Sequence, residues 1–599
     1  MSSTIATEPR DLNRNGRIDL YEDPAASIDD RIEDLLGQMS IPEKVGLMFH
    51  HMTFFNAPFP LPPEMDPARF IVEKHVNHSA FFGEGSAVEL AEWQNWLQQL
   101  AESTRLGIPF TLSSDPRHGA GANPIGSAGT ANAFSQWPDA IGLAAARDPE
   151  LTRQFGDIAR QEYLAVGIRV SLHPQADLAS EPRWGRISGT FGEDVEVVCE
   201  LTEAYIRGFQ GETIGRDSIS CMTKHFPGGG PQKDGEDPHF PYGREQIYPG
   251  GAFAIHLKPF EVAIRVGAGQ MMPYYGMPVD TEWEEVGFGF NKEIVTGLLR
   301  EQLGFDGIVC TDWGLITDGN IMGKPLPARA WGLEHLEPIE RVYRAIDAGC
   351  DQFGGEICTE LLLALVEQGR VTEQRLDISA RRILREKFRL GLFDRPYVDV
   401  EQTVVVCGNE AFVAAGIAAQ RRSLVLLKND EISGAPVLPA NPDTSLYVEG
   451  IDEETAAGYG VVVDDPASAD LAIIRIGAPF EPRDTLALES LFHAGSLAFD
   501  EESLAHLLEI AASLPTVVVI DLDRPAVIPE LAAAAVGLIG AFGASDAIVL
   551  DLIFGSSSPT GTLPFELPSS MDAVRTQLSD VPADSENPLF PLGFGLTYA

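Results

Sequence analysis

The chain has 599 residues, 44% of them apolar and 22% charged, an ordinary globular composition on a chain too long for a single hydrophobic core. A formal net charge of −45 argues against nucleic acid and anionic membranes as partners, because phosphate binding needs clustered Lys and Arg, and it disfavours acidic polysaccharides. No apolar run approaches the roughly 18 residues of a membrane span, and Met1-Ser2-Ser3-Thr4-Ile5 has neither the basic start nor the apolar core of a secretory leader.

In chain order, the first feature is Asp11-Leu12-Asn13-Arg14-Asn15-Gly16-Arg17-Ile18-Asp19-Leu20-Tyr21-Glu22. It fits the EF-hand loop: Asp11, Asn13, Asn15, Asp19 and Glu22 supply side-chain oxygens, Arg17 its backbone carbonyl, and Gly16 the turn. The expectation is a structural Ca2+ that pins a head (residues 1–27) to the next domain. An Asx-rich turn without metal is the alternative. Ile28 to Met48 then reads as one amphipathic helix.

A repeating pattern follows. Ile108–Leu112, Ile168–Leu172, Ile219–Thr223, Gly269–Met272 and Gly307–Thr311 are short apolar runs that read as buried strands. Each ends in sugar-binding or proton-handling residue types, and the last ends at Asp312-Trp313-Gly314. In a parallel α/β barrel the C-terminal strand ends form the active-site face, so the pattern predicts an enzyme with Asp312 at the mouth of a TIM-like (β/α) barrel over 28–395. Arg375 to Phe393 reads as its closing helix, and 396–420 as a linker. In 421–599, strand candidates Leu424–Leu427, Ser445–Val448, Leu471–Ile476, Thr516–Ile520 and Val536–Ile539 alternate with helical stretches such as Leu504–Ala512. That predicts an open, mainly parallel α/β sandwich domain. The six scattered cysteines lack CxxC or framework spacing and read as reduced thiols. A cytoplasmic location is expected, with secretion of a processed form not excluded.

Seven strings, in order, carry a family resemblance: EPRWGR from Glu181, FGED from Phe191, KHFPGGG from Lys224, TDWG from Thr311, RSLVLLKN from Arg422, GTLPFELP from Gly561 and FPLGFGLTY from Phe590. From about Arg31 to the C-terminus the chain resembles glycoside hydrolase family 3. The resemblance implies a barrel paired with an α/β sandwich, without the fibronectin-like domain that many members add. It further implies a retaining exo-acting β-glycosidase, most simply a β-glucosidase, that acts on small-molecule or oligosaccharide β-glycosides and needs no organic cofactor.

Retention requires two carboxyl groups, one as nucleophile and one as acid/base. Asp312 matches the family nucleophile. The acid/base is expected on a sandwich-domain loop, where Glu481 is the choice and Glu489 the neighbouring alternative. Asp115, Arg183, Lys224 and His225 match positions that hydrogen-bond the terminal sugar, and Trp313 and Tyr274 offer flat surfaces for a pyranose. Bracing roles fall to His118, to Asp177 as a partner for Lys224, and to Arg186 and Glu193 as an ion pair. Hexosaminidases of the family carry an Asp-x-His pair after KHFPGHG. Here Gly229 replaces the second His of that string, and Asp237-Pro238-His239 follows. A hexosaminidase or phosphorylase using Asp237 and His239 is therefore the second reading, and an inactive glycan-binding relative the third. Sugar, linkage, aglycone and the formation of a homo-oligomer stay open.

Overall fold

The computed structural model describes residues 8–57, 60–121 and 133–598. Its N-terminal domain is built on eight strands: β1 (Phe49–Phe54), β2 (His78–Phe82), β3 (Thr111–Ser114), β4 (Ile168–Ser171), β5 (Ser220–Phe226), β6 (Gln270–Pro273), β7 (Ile308–Val309) and β8 (Phe353–Gly354). They hydrogen-bond in the order β8-β1-β2-β3-β4-β5-β6-β7, every pair parallel. The two sheet edges meet where Cys310 bridges Gln352, so the sheet curls round on itself as a TIM-like barrel.

Side chains alternate between the two faces of a strand, and that period explains the site. Ala80, Val170, Met222, Met272 and Cys310 pack against one another as a small separate core inside the barrel. Two residues further along β5 and beyond β7, the same inward direction brings Lys224 above Met222 and Asp312 above Cys310. The other face of the sheet packs on the surrounding helices in the main core.

Two sequence expectations change at element ends. Ile28 to Met48 is two helices, Ile28–Gln38 and Ile41–Leu47. Met39 is extended, and Ser40 caps the second helix with Glu43, whose carboxylate takes the Ser40 N–H at 2.8 Å. This is a capping box, and it starts a new helix inside the amphipathic run. The predicted linker at 396–420 is largely helical, with Val400–Val406 and Glu410–Ser423 carrying the chain across to the second domain.

The second domain has strands β9 (Val425–Asn429), β10 (Ser445–Glu449), β11 (Val461–Val462), β12 (Leu471–Gly477), β13 (Thr516–Asp521) and β14 (Gly537–Ala541). Their order is β9-β14-β13-β12-β10-β11, parallel except for β9 against β14. Alternate residues feed different cores: Ala472, Ile474, Val518 and Ile520 join the core shared with the barrel domain, and Leu471, Ile473, Val517 and Val519 join the core on the far face. A sheet buried on both faces reads as a continuous apolar run. The shared core holds the C-terminal strand ends of this sheet beside the barrel mouth. Among the described residues no single helix is long and apolar enough to cross a membrane.

Candidate active site

Asp312 is buried, with 6% of its surface exposed. Its Oδ1 accepts the Trp313 N–H at 2.8 Å, while among the described residues Oδ2 has no hydrogen-bond partner. A buried carboxylate oxygen left without a donor is costly. The Tyr275 hydroxyl donates to Trp313 O at 2.8 Å; burial and then the nearby Asp312 push its phenol pKa far up.

His225 Nε2 stands 3.8 Å from Asp312 Oδ2, beyond a hydrogen bond. The His225 ring is held between Asp177 Oδ2, 2.7 Å from Nδ1, and Arg186 Nη1, 2.9 Å from Nε2. A guanidinium has no acceptor, so Nε2 carries the lone pair and Nδ1 the proton. Burial and the Arg186 charge keep the ring neutral, its pKa far below the usual value. Asp177 also accepts from the backbone N–H groups of His225 and Gly229, at 3.1 and 2.5 Å, and burial pushes its carboxyl up to about 6. Burial opposes the Arg186 charge, but Asp237, Asp312 and Asp177 around it hold it firmly protonated.

Lys224 Nζ donates to Asp115 Oδ1 at 2.7 Å. These two, with His173, Gln175 and Arg186, line a recess in the barrel mouth that extends to Asp139. Lys224 thus pairs with Asp115, while the next residue, His225, is the one that faces Asp312. Arg183 stands at the edge, its guanidinium bound twice by Glu181 (2.8 and 3.0 Å) and 3.5 Å from Asp234.

Tyr274 corrects one expectation. It is fully buried, lies against the His225 ring with centroids 4.4 Å apart, and donates to Asp237 Oδ2 at 3.1 Å. It braces the floor and offers no open face to a sugar. Trp313 is half-buried and lies over β8, where a Cβ on Gly354 would come within 2.7 Å of the indole; only glycine lets the ring settle there. The bracing assignments also move. Asp177 holds His225 instead of Lys224, and Arg186 enters the pocket instead of pairing with Glu193. The Glu193 carboxylate caps the backbone N–H groups of Glu566 and Ala583, at 2.6 and 3.0 Å. His118 does brace its loop, 2.9 Å from Glu162.

On the rim, His239 Nδ1 is 2.6 Å from Asp237 Oδ1, and its ring lies against Tyr275 (4.6 Å) and Phe492 (4.9 Å). Burial lowers the imidazole pKa and Asp237 opposes it; burial raises the Asp237 carboxyl, but His239 and Arg186 pull it far down. The change of His to Gly229 has a steric cause: a Cβ there would lie 2.8 Å from the Tyr274 ring and 3.1 Å from Asp177.

Glu481 and Glu489 lie on the sandwich-domain loop that follows β12. The Glu481 side chain is 57% exposed with Arg483 Nη2 at 3.7 Å, and accepts from Ser496 N at 3.2 Å. Glu489 is buried. It accepts from Tyr242 OH at 2.8 Å and from the N–H groups of Thr485 and Leu486 at 2.6 and 2.9 Å, which outweigh burial and lower its pKa. That carboxylate ties the loop to the barrel.

The Asp11–Glu22 loop closes on itself. Glu22 accepts from the N–H groups of Leu12, Asn13 and Asp19, Asp19 from Asn13 and Asn15, with Arg17 at 2.8 Å, and Asp11 from the N–H groups of Asn15 and Gly16. Among the described residues no three His, Cys, Asp or Glu side chains gather as a metal site.

The sequence profile described as glycosyl hydrolase family 3 N-terminal domain matches residues 37–386, and that of the family 3 C-terminal domain matches 400–598. The chain belongs to glycosyl hydrolase family 3. Among its family 3 relatives, the probable β-glucosidase C of Aspergillus flavus is 50% identical over 609 residues, covering 100% of this chain and 95% of that one. The periplasmic β-glucosidase/β-xylosidase of Dickeya chrysanthemi is 39% identical, covering 98% and 93%. The crystal structure of a Listeria innocua β-glucosidase, solved with isofagomine, shares the family 3 fold with a TM-score of 0.75 at 21% identity, over 95% of this chain and 83% of that one.

Proposed function

We propose that this family 3 enzyme is a retaining, exo-acting β-glucosidase in which Asp312 attacks the anomeric carbon. The observation that carries the reading is the buried Asp312 Oδ2, unpartnered among the described residues and 3.8 Å from His225 Nε2, in a chain half identical to a probable β-glucosidase. Lys224, Asp115 and Arg186 surround the place where the sugar hydroxyls would lie, and neutral His225 leaves Oδ2 free for attack. For acid/base we propose Glu481, a carboxyl on the loop that closes over the mouth and that a bound substrate would desolvate. His239 is the second reading, favoured by one observation: Asp237 holds Nδ1, and among the described residues no hydrogen bond engages Nε2.

Hydrolysis of aryl β-glucoside, xyloside, galactoside and N-acetylglucosaminide tests the activity, and trapping with a 2-fluoro-glucoside should label Asp312. No turnover of the glucoside, or a label on another residue, sinks the reading. Preference for the N-acetyl sugar would move proton transfer to His239. Calcium in the Asp11–Glu22 loop is also a proposal, supported by the donor spacing; an unchanged melting temperature on adding EDTA or Ca2+ would dismiss it. A cytoplasmic location is proposed on the six unpaired cysteines, and cell fractionation tests it.

A further inference from the structure

The sandwich-domain loop between Pro479 and Ser496 makes many of the contacts that close the barrel mouth. Arg483 binds Glu236 (2.5 and 2.9 Å), the Ala487 N–H donates to Pro325 O at 3.0 Å, Glu489 takes Tyr242 OH at 2.8 Å, and Phe492 lies on His239. All of these depend on where the neck of the loop sits. At the neck, the Glu481 N–H donates to Ala494 O at 2.9 Å and joins the two arms.

Beneath that neck lies Arg524, fully buried, just past the C-terminal end of β13 where an open α/β sheet presents its crevice. Its Nη2 donates to Pro479 O, Ala494 O and Ser496 O at 2.6, 3.0 and 2.9 Å. Its Nη1 donates to Gly495 O at 3.2 Å and crosses to the barrel at Arg183 O, 3.0 Å away. The four terminal N–H groups of one planar fork, at least one of them shared between two acceptors, thus reach five carbonyls from both arms of the loop and from the segment that carries Arg183. A lysine ammonium, a point donor with three protons, cannot reproduce that pattern.

We infer that Arg524 is a positioning residue: it registers the Pro479–Ser496 loop against Arg183 and so sets the rim of the active site, without touching substrate. The kinetic part of its test rests on the β-glucosidase reading; the proteolytic part does not.

The experiment compares Arg524→Lys with Arg169→Lys. Arg169 is another buried arginine, which caps Arg216 O, Ser218 O and Leu390 O at 2.8, 3.3 and 2.7 Å, away from the rim. Both variants should lose thermal stability. Only R524K should lower kcat/KM, by about 100-fold for a misplaced rim, and more for a phenyl glucoside, whose leaving group needs a proton, than for a dinitrophenyl glucoside. Only R524K should admit trypsin at Arg483. Equal kinetic losses in the two variants, or an R524K enzyme as active and as protease-resistant as the parent, would overturn the inference. A parent chain that turns over no glucoside would instead fail the activity reading, and the trypsin comparison would still decide the role of Arg524.

Discussion

Arg186 meets His225 with Nη1 2.9 Å from Nε2, and that contact fixes which ring nitrogen carries the proton. Asp177→Asn should reverse it. The N–H groups of His225 and Gly229 would keep the amide oxygen, so the amide nitrogen would face Nδ1 and drive the proton to Nε2, donor against donor with Arg186. The expected result is a fall in kcat/KM of about two orders of magnitude or more with the far-UV spectrum unchanged. Activity within threefold of the parent would show that the tautomer does not matter.

Asp312→Asn removes the attacking charge and leaves the Trp313 N–H contact in place. Turnover of an aryl glucoside should fall by at least about a thousandfold, with little change in ground-state sugar binding by calorimetry. Residual activity near the parent's would place the nucleophile elsewhere.

The proton donor can be identified by leaving-group dependence. Glu481→Gln should slow phenyl glucoside hydrolysis far more than that of the dinitrophenyl compound, by about 100-fold against little change. His239→Asn should lower both alike. The opposite pattern would transfer the role to His239.

Glu489 should behave differently from both. Tyr242→Phe removes one hydrogen bond of 2.8 Å and should lower kcat/KM by about three- to tenfold, in keeping with roughly 1 kcal/mol. Glu489→Gln also weakens the hold on Thr485 and Leu486 and should cost more. Neither change should alter leaving-group dependence, and a change in it would make Glu489 a proton donor after all.

The parts of the site that the sequence revealed are those that local periodicity fixes. Apolar runs ending in polar residues placed Asp312, Lys224 and Asp115 at strand tips, because inward side chains recur every second residue. Contacts between distant segments left no such trace. Arg186 reads as an ion-pair partner of Glu193 until the chain brings it to His225, 39 residues away. Tyr274 looks like a sugar platform until His225 covers its face. The helix break at Ser40 was legible as a Ser-x-x-Glu capping box, but the amphipathic stripe across it hid the signal.

Glu193 gives a stability prediction with a definite sign. Its carboxylate is buried, its oxygens facing the N–H groups of Glu566 and Ala583. Burial, with Glu566 and Asp194 nearby, raises its pKa from 4.5 to about 8. Between those values the unfolded chain releases the proton and the native state keeps it, so stability falls as pH rises. The contribution is fully present below about 4.5 and lost once pH has passed about 8. Glu193→Gln cannot ionise; it should be less stable by about 1–2 kcal/mol at low pH, where one N–H faces an amide nitrogen. The gap to the parent should narrow as pH climbs from 5 to 8, because only the parent loses stability there through this group. Melting temperatures of the two proteins across that range give the difference directly. Parallel curves would mean that Glu193 is already ionised in the native state and that its two backbone donors, not its burial, set its charge.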